Sequence, residues 1–125
     1  MSDKTTLVIT GGLGNLGSKL CNHLLTTSSK YEVILIEHPN FCNKPLPHSN
    51  ATLLPCNLGN PTSEQHAALK LALEKADTLI HFSAVNPYPN ANWSECAQSM
   101  DHTFYIFQLA VLCKGEWLWC GIVGE

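Results

Sequence analysis

Short, uninterrupted apolar runs alternate with longer segments of helical periodicity along this chain. Residues 7–9 and 33–36 are apolar throughout, which is typical of strands that a parallel sheet buries on both faces. Between these runs, apolar side chains recur at the spacing of a helix face. The pattern predicts strands at 6–10 and 31–37 with a helix at 15–27 between them. One face of this helix is formed by Leu16, Leu20, His23 or Leu24, and Thr27.

The same alternation continues through the middle of the chain. Residues 38–50 contain three prolines and predict a loop, and residues 51–55 predict a short third strand. Thr62 and Gln65 then have the spacing of a helix-capping box. The helix that they begin is expected to end near Lys75, with one face formed by Leu69, Leu73 and Ala76.

The last third of the chain predicts two further strands and one long helix. Residues 78–82 form the fourth strand, and Asn92 with Glu95 has the spacing to cap a helix over 93–114. That helix is apolar on more than one side, so a single sheet face cannot cover it and it needs a partner. Residues 116–123 predict a fifth strand.

A glycine-rich turn joins the first strand to the first helix, in the stretch Thr10-Gly11-Gly12-Leu13-Gly14-Asn15-Leu16-Gly17. Gly11 permits a sharp turn, Gly14 lets a pyrophosphate approach the backbone, and Gly17 lets the helix pack close to the sheet. The unpaired N–H groups and the positive dipole end of the helix then attract phosphate. The alternative is a tight strand-to-helix turn that binds nothing.

An acidic residue ends the second apolar run. Glu37 stands twenty positions after Gly17, where the carboxylate of a dinucleotide-binding unit meets the adenosine ribose hydroxyls. The alternative for Glu37 alone is a solvated charge at a strand end. The glycine turn and the acid together predict that the chain binds a dinucleotide.

Strands that alternate with helices predict an α/β fold. We expect a Rossmann-like doubly wound parallel sheet of about five strands with helices on both faces, in one domain over residues 1–125. Ligands of such sheets bind beyond the carboxyl ends of the strands. The glycine turn, Glu37, Asn57 and Ser83 all follow predicted strands, so they should meet at one edge of the sheet.

Composition narrows the classes of partner. Apolar residues make up 45% and charged residues 14% of the chain, which indicates a globular protein. The net charge is −3 and all 7 basic residues are dispersed lysines, so we expect no nucleic-acid surface and no anionic-membrane surface. No apolar run approaches the roughly 20 residues of a membrane span.

The 6 cysteines are more consistent with a reducing compartment than with disulfides. No Cys-x-x-Cys pair occurs, and the first residues lack the apolar core of a signal peptide. We therefore expect a cytoplasmic protein whose cysteines act as small buried apolar groups. No metal site is expected, because the neighbours Cys21, Asn22 and His23 point apart on the predicted helix.

These motifs resemble a known family. Residues 10–17 match the TGxxGxxG turn of the short-chain dehydrogenase/reductase superfamily. Residues 79–84 are similar to the strand end hxHxAA of its extended branch, the NAD-dependent epimerase/dehydratase family, and the resemblance extends over roughly residues 5–112. It implies NAD as the cofactor rather than NADP, because Glu37 would repel a 2′-phosphate, the chain contains no Arg, and His38 is the only cation expected nearby.

The resemblance also implies which residues line the cofactor. Along the pyrophosphate it places Gly11, Gly14, Asn15 and Leu16. At the adenosine end it places Glu37, His38, Asn57 and Leu58. Beside the nicotinamide ribose it places Phe82, Ser83 and Ala84. The local candidates for substrate contacts are Asn86 and Tyr88, turn capping is the alternative for Asn57 and Ser83, and His81 is expected to be a packed strand-end residue.

Catalysis in the family needs a Tyr-x-x-x-Lys pair, in which the lysine lowers the pKa of the phenol and the tyrosine exchanges a proton with the substrate. None of the 3 tyrosines is followed by such a lysine, so we expect no catalytic residue in this chain. The chain therefore resembles a truncated, cofactor-binding part of a family member.

Three functions remain open on the sequence. The first is the cofactor-binding part of an epimerase, dehydratase or reductase that moves hydride on a nucleotide sugar or another carbonyl or alcohol substrate. The second is a non-enzymatic NAD(P)-binding or redox-sensing module, and the third is an interaction fragment. The apolar helix at 93–114 predicts a homodimer or another self-association through that helix.

Overall fold

The computed structural model describes residues 4–84, 92–114 and 120–122. Within them, strands and helices follow one another as the sequence predicts. In chain order they are β1 (Thr5–Thr10), α1 (Asn15–Thr27), β2 (Tyr31–Glu37), β3 (Thr52–Pro55), α2 (Ser63–Lys75), β4 (Thr78–His81), α3 (Trp93–Lys114) and β5 (Cys120–Ile122). A short 3-10 helix, Pro39–Phe41, lies in the loop after β2.

All strand pairs are parallel, and the sheet has the order β3-β2-β1-β4-β5. β1 lies at the centre, where Ile9 is opposite Leu35 of β2 and Ile80 of β4. The strand order changes direction between β1 and β4, which is the switch point of a doubly wound sheet. The predicted Rossmann-like α/β fold is confirmed.

Successive residues of each strand bury their side chains in two separate cores. On one face, α1 covers Leu7, Ile9, Val33 and Leu35. On the other face, α2 and α3 cover Val8, Ile34, Ile36 and Leu79. Helices therefore lie on both faces of the sheet, and both faces of the central strands are apolar, which explains their uninterrupted apolar sequence.

The buried stripe of α1 differs from the predicted one. Gly17 and Cys21 are its fully buried residues, whereas Leu16 is 36% exposed and both His23 and Thr27 are exposed. The reason is the close approach of the helix to the glycine turn. Because Gly17 must face that turn, the helix is rotated so that positions 17 and 21 point at the sheet.

The predicted start and inner face of α2 are confirmed. Gln65 N–H donates to the Thr62 hydroxyl at 3.1 Å, and the Gln65 side-chain oxygen accepts from Thr62 N–H at 3.2 Å. This reciprocal pair is a capping box. The inner face is completely buried and consists of Leu69, Leu73 and Ala76.

The bounds and cap of α3 also follow the sequence. Glu95 N–H donates to the Asn92 side-chain oxygen at 2.9 Å at the start of the helix. Ile106, Leu109 and Ala110 are buried, while large apolar side chains on other sides are exposed. β5 is shorter than the strand predicted at 116–123, and residues 115–119 and 123–125 lie outside the described residues.

The described cysteines are free thiols, and two of them act as apolar core residues. Cys21 and Cys56 are buried, and this burial raises the pKa of each thiol to about 11. Cys42, Cys96 and Cys113 are half-buried instead, so the expectation of buried apolar cysteines is wrong for them. None of the helices in the described ranges is long and apolar enough to cross a membrane.

Candidate functional site

The turn between β1 and α1 has the geometry that its glycines predict. Gly11 has a φ of +65°, the left-handed region that favours glycine. Gly14 N–H donates to the Gly11 carbonyl at 3.0 Å, which closes the turn. A Cβ on Gly17 would lie 2.5 Å from that same carbonyl oxygen, so only glycine lets the helix begin this close to the turn.

The amino end of α1 is open to a ligand. Gly14 is the N-cap, and no side chain caps the helix there. Asn15 and Leu16 follow in the first turn with exposed side chains, and neither of them lines the cavity that Gly11 and Gly14 border. A contact of these two residues with a phosphate would therefore involve their backbone rather than their side chains.

The carboxylate of Glu37 is held in place by backbone donors at the end of β2. One oxygen accepts from Leu13 N–H at 3.3 Å and the other from His38 N–H at 3.1 Å. Each carboxylate oxygen has a further lone pair, so both can still accept a hydrogen bond from a ribose hydroxyl. Glu37 is thereby tied directly to the glycine turn.

Two cavities run along the carboxyl ends of the strands and share Glu37, Phe41, Ser83 and Ala84. The smaller, about 150 Å³, reaches the glycine turn, and the larger, about 690 Å³, extends past β2 towards α3. We call the two together the edge cleft. The smaller cavity also has Gly11, Gly14 and Phe82 in its wall, and the larger has His38 and Asn57.

Asn57 and Leu58 differ in what they can offer a ligand. The Asn57 side-chain oxygen accepts from Gly59 N–H at 3.0 Å, so the amide caps its own turn while it borders the larger cavity. Leu58 is 6% exposed, packs in the core under α2 and α3, and borders neither cavity of the edge cleft. The substrate candidates Asn86 and Tyr88 lie outside the described residues.

A third cavity adjoins the edge cleft at Ser83 and Ala84. It has a volume of about 870 Å³ and an apolar lining, and it runs along α3 past Met100, Phe104 and Leu112. Ser83 and Ala84 border all three cavities. The strand end that the sequence singled out is therefore the junction of the site.

Thr10 holds the junction at Ser83 and Ala84 in place from inside the core. Its hydroxyl oxygen accepts from Phe82 N–H at 3.1 Å and from Ser83 N–H at 3.2 Å. The hydroxyl proton is then free to be donated to His81 Nδ1, 2.6 Å away. The last residue of β1 thereby holds the end of β4, and it is completely buried.

His81 is a structural residue, as expected, with a defined tautomer. Because Nδ1 accepts from Thr10, Nε2 carries the proton and donates it to the Thr103 hydroxyl at 3.0 Å. Thr103 in turn donates to the Ser99 carbonyl at 2.9 Å. Burial lowers the pKa of His81 to about 4, with a smaller contribution from the charge of His102, so the ring is neutral near pH 7.

Three residues of the loop after β2, Asn40, Phe41 and Lys44, border the edge cleft and were missed. Lys44 borders the smaller cavity together with Gly14, and its Nζ lies 5.4 Å from the ring centre of Phe41. The expectation that His38 is the only nearby cation is therefore wrong. The loop residues were assigned only to turns, because nothing in their spacing shows that the chain folds back over the glycine turn.

Three polar residues of α3 were also missed. Gln98, Asp101 and His102 border the larger cavity opposite the loop that carries Asn57. A sequence signal for them existed, because they occur at positions i, i+3 and i+4 and form one polar face on an otherwise apolar helix. Among the described residues, no group of histidine, cysteine or acidic side chains is arranged to hold a metal ion.

Comparison with known proteins identifies one family. The model of the NAD dependent epimerase/dehydratase family matches residues 7–112. The match begins in β1 and ends within α3, so it includes the glycine turn, Glu37 and the junction at Ser83. No curated protein matches the chain.

Among the solved structures with the same fold are three that are named as enzymes. The Helicobacter pylori ADP-L-glycero-D-manno-heptose-6-epimerase is 20% identical over 98% of this chain and 39% of its own, with a TM-score of 0.72. The Bordetella bronchiseptica enzyme WbmG, in complex with NAD and UDP, is 22% identical over 86% and 34%, with a TM-score of 0.62. The epimerase Mth375 from Methanothermobacter thermautotrophicus is 19% identical over 90% and 33%, with a TM-score of 0.65. The chain thus spans about two fifths or less of the length of these enzymes.

Proposed function

The chain belongs to the NAD dependent epimerase/dehydratase family, and on that premise we propose that it binds a nicotinamide adenine dinucleotide in the edge cleft. The observation that carries the proposal is the continuity of the cavities at Ser83 and Ala84. One cavity reaches Asn57, one the glycine turn and one the apolar face of α3. A ligand with a base at each end and phosphates between them matches this arrangement.

Each part of the dinucleotide has a counterpart in the cleft. The pyrophosphate lies at Gly11 and Gly14, against the backbone N–H groups of Asn15 and Leu16. The adenosine ribose bonds Glu37, and the adenine enters the cavity bordered by His38 and Asn57. The nicotinamide ribose passes Phe82, Ser83 and Ala84 towards the apolar cavity. Leu58 contributes to this site through the buried core beneath it.

NAD is preferred over NADP in this proposal. Glu37 accepts hydrogen bonds from two ribose hydroxyls, and its charge opposes a phosphate in place of one of them. Lys44 reduces this discrimination, because it borders the same cavity as Glu37 and can pair with either a pyrophosphate or a 2′-phosphate. The preference therefore depends on Glu37 being held at the ribose by Leu13 and His38.

The complete reaction that we propose is hydride transfer on a nucleotide sugar or another carbonyl or alcohol substrate. It is supported by the family and by the NAD and UDP bound to the similar WbmG. No Tyr-x-x-x-Lys pair occurs among the 125 residues, so proton exchange with the substrate needs residues from outside them. In a turnover assay over a carbonyl and sugar-nucleotide panel, we expect the isolated chain to bind cofactor without transferring hydride. Reproducible turnover that a substitution in this chain removes would contradict this.

Calorimetric titration of the chain with NAD tests the binding proposal, with Gly14→Val as the decisive variant. The valine side chain occupies the space through which the pyrophosphate approaches, so we expect affinity to fall at least a hundredfold, equivalent to about 3 kcal/mol. Circular dichroism should be unchanged, because Gly14 has a φ of −73° that valine adopts. Undiminished binding by Gly14→Val would mean that the glycine turn does not contact the cofactor.

The alternative function, a non-enzymatic NAD(P)-binding or redox-sensing module, would bind the cofactor but show no turnover even in the complete protein.

Self-association through α3 is a second proposal, carried by a different observation. Its exposed face bears Trp93, Met100, Phe104 and Val111, which are 79%, 65%, 68% and 56% exposed. The last three also line the apolar cavity, so a partner helix there would leave the nicotinamide only the end of that cavity at Ser83 and Ala84. With Ala97 and Phe107, these exposed residues follow alternating steps of four and three residues, which is the spacing of helices that pair side by side. Burying such side chains contributes about 1.5–3 kcal/mol each.

Light scattering at micromolar concentration tests this association. Met100→Glu with Phe104→Glu should shift the chain towards monomer, while Leu71→Glu, a change at a 66% exposed leucine on α2, should not. Phe107 is not a clean probe, because its ring packs edge-on to His81 at 5.7 Å. A stable monomer for the unsubstituted chain would contradict the proposal.

A further inference from the structure

Two residues at the base end of the edge cleft, Asn57 and Asp101, border the cavity that takes the base of the nucleotide. Asn57 is the residue that the sequence assigns to adenine, but its side-chain oxygen already accepts from Gly59 N–H at 3.0 Å. Asn57 N–H is also engaged, because it donates to the Gln65 side-chain oxygen at 3.1 Å. The Asn57 amide is thus held by its own turn, and it still offers a ligand both an acceptor lone pair and NH₂ donors, so it does not distinguish an amino group from a carbonyl oxygen.

The α3 side of the larger cavity carries a carboxylate, Asp101, that accepts no such hydrogen bond from the described residues. Asp101 on α3 is exposed and borders the larger cavity. Among the described residues its side chain forms no hydrogen bond or ion pair, and its charge opposes the lowering of the His102 pKa by burial. The other carboxylate of this cavity, Glu37, is held at the glycine turn by Leu13 and His38.

His102 keeps the α3 side of the cavity close to the Asn57 turn. Its Nε2 lies 2.7 Å from the position that a Cβ would take on Gly59, so the ring packs directly against that glycine. Its Nδ1 is buried without a hydrogen-bond partner among the described residues. His102 therefore forms the floor of the cavity, and Asp101, the residue before it, stands at the rim.

We propose that Asp101, rather than Asn57, selects the base of the bound nucleotide by accepting a hydrogen bond from the exocyclic amino group of adenine. This inference rests on the proposed binding of a dinucleotide in the edge cleft. A carboxylate has acceptors only, so it bonds an amino group and repels a carbonyl oxygen at the same position of the base. Adenine is thereby accepted, and a base with a carbonyl there is disfavoured by a repulsive contact between two hydrogen-bond acceptors.

The test compares two ligands that differ at that position and at the adjacent ring nitrogen. NAD carries the amino group beside an unprotonated nitrogen, and nicotinamide hypoxanthine dinucleotide carries a carbonyl oxygen beside a ring N–H group. Calorimetry should give NAD about tenfold tighter binding to the unsubstituted chain, since one such hydrogen bond is worth about 1.4 kcal/mol. Equal affinity for the two ligands would overturn the selection by Asp101 while leaving the binding proposal intact. Failure to bind either ligand would overturn the binding proposal itself.

Two variants separate Asp101 from Asn57. Asp101→Asn replaces the carboxylate by an amide that can also donate to a carbonyl, so the preference for NAD should shrink to within about threefold. Asn57→Ala should weaken both ligands alike and leave their ratio unchanged. Glu74→Gln, the same change of charge on an exposed residue of α2, serves as the control. A ratio that survives Asp101→Asn, or that disappears in Asn57→Ala, would overturn the proposal.

Discussion

The two ends of the edge cleft are built from different parts of the chain. The phosphate end is built around backbone, because Gly11 and Gly14 have no side chains and the exposed side chains at the start of α1 do not border the cavity, and Thr10 supports it from inside the core. The base end consists of side chains that stand at its surface, among them Glu37, Asn57 and Asp101. Damage to the buried support of the first end, such as Thr10, should therefore appear as lost stability, and damage to the second end as altered selectivity.

Replacing Thr10 by valine has the largest effect that we expect on folding. The change removes the hydroxyl that accepts from Ser83 N–H and donates to His81 Nδ1, and it leaves a buried ring nitrogen and a half-buried N–H without that partner. We expect Thr10→Val to destabilise the chain by about 3 kcal/mol, measured by urea unfolding. The control is Thr26→Val on the exposed side of α1, which should change stability by less than about 0.5 kcal/mol. Similar losses in both would show that Thr10 does not support the phosphate end.

Low pH should destabilise the folded chain through His81, the partner of Thr10 beneath the phosphate end of the cleft. The pKa of His81 is about 4 in the folded chain and 6.5 in its ordinary state, so the unfolded chain binds the additional proton between these values. Stability should therefore fall as the pH decreases through this window, by about 2 kcal/mol between pH 7 and pH 5. Urea unfolding at both pH values measures this, and the loss should be smaller in His81→Gln. An equal loss in that variant would assign the effect to other groups.

Glu37→Ala should change cofactor selectivity at the base end. The variant loses the carboxylate that bonds the ribose and opposes a 2′-phosphate, so the ratio of NAD to NADP affinity should decrease about tenfold. Titration with both cofactors measures it. Glu37→Gln keeps an oxygen for Leu13 and His38 N–H and should give a smaller decrease. Tighter binding of NADP than of NAD by the unsubstituted chain would contradict the proposed preference.

Lys44→Gln should have the smallest effect. Lys44 borders the smaller cavity but is exposed and stacks on Phe41, so its attraction for phosphate is screened by solvent. We expect NAD affinity to fall about threefold, and the difference from the unsubstituted chain should decrease with added salt. Lys30→Gln, a change at an exposed lysine at the far edge of the sheet, is the control. A difference that is independent of salt would mean that Lys44 acts by packing rather than by charge.

The sequence predicted the phosphate end better than the base end, and the reason is physical. Gly11 and Gly17 occupy positions that other residues cannot take, so the turn is encoded in consecutive residues. The capping box of Thr62 and Gln65 is equally local, and it was predicted correctly. Uninterrupted apolar runs likewise specified the strands, because a parallel sheet buries both of their faces.

The base end depends on how α3 and the loop after β2 are placed. Phe41 and Asp101 are distant in sequence from Asn57, and only the packing of the whole sheet brings them to the larger cavity. The rotation of α1 was mispredicted for a related reason. Helical spacing gives the period of a stripe, but the contact between Gly17 and the turn sets which residues of α1 face inward.

The contact between Thr10 and His81 joins residues that are 71 positions apart. Closing a loop of that length costs more chain entropy than pairing β1 with β2, whose partners Thr5 and Tyr31 are much nearer in sequence. The β1–α1–β2 unit can therefore form first, and the docking of β4 completes the junction at Ser83 late in folding. It follows that Thr10→Val should mainly accelerate unfolding and leave the refolding rate almost unchanged.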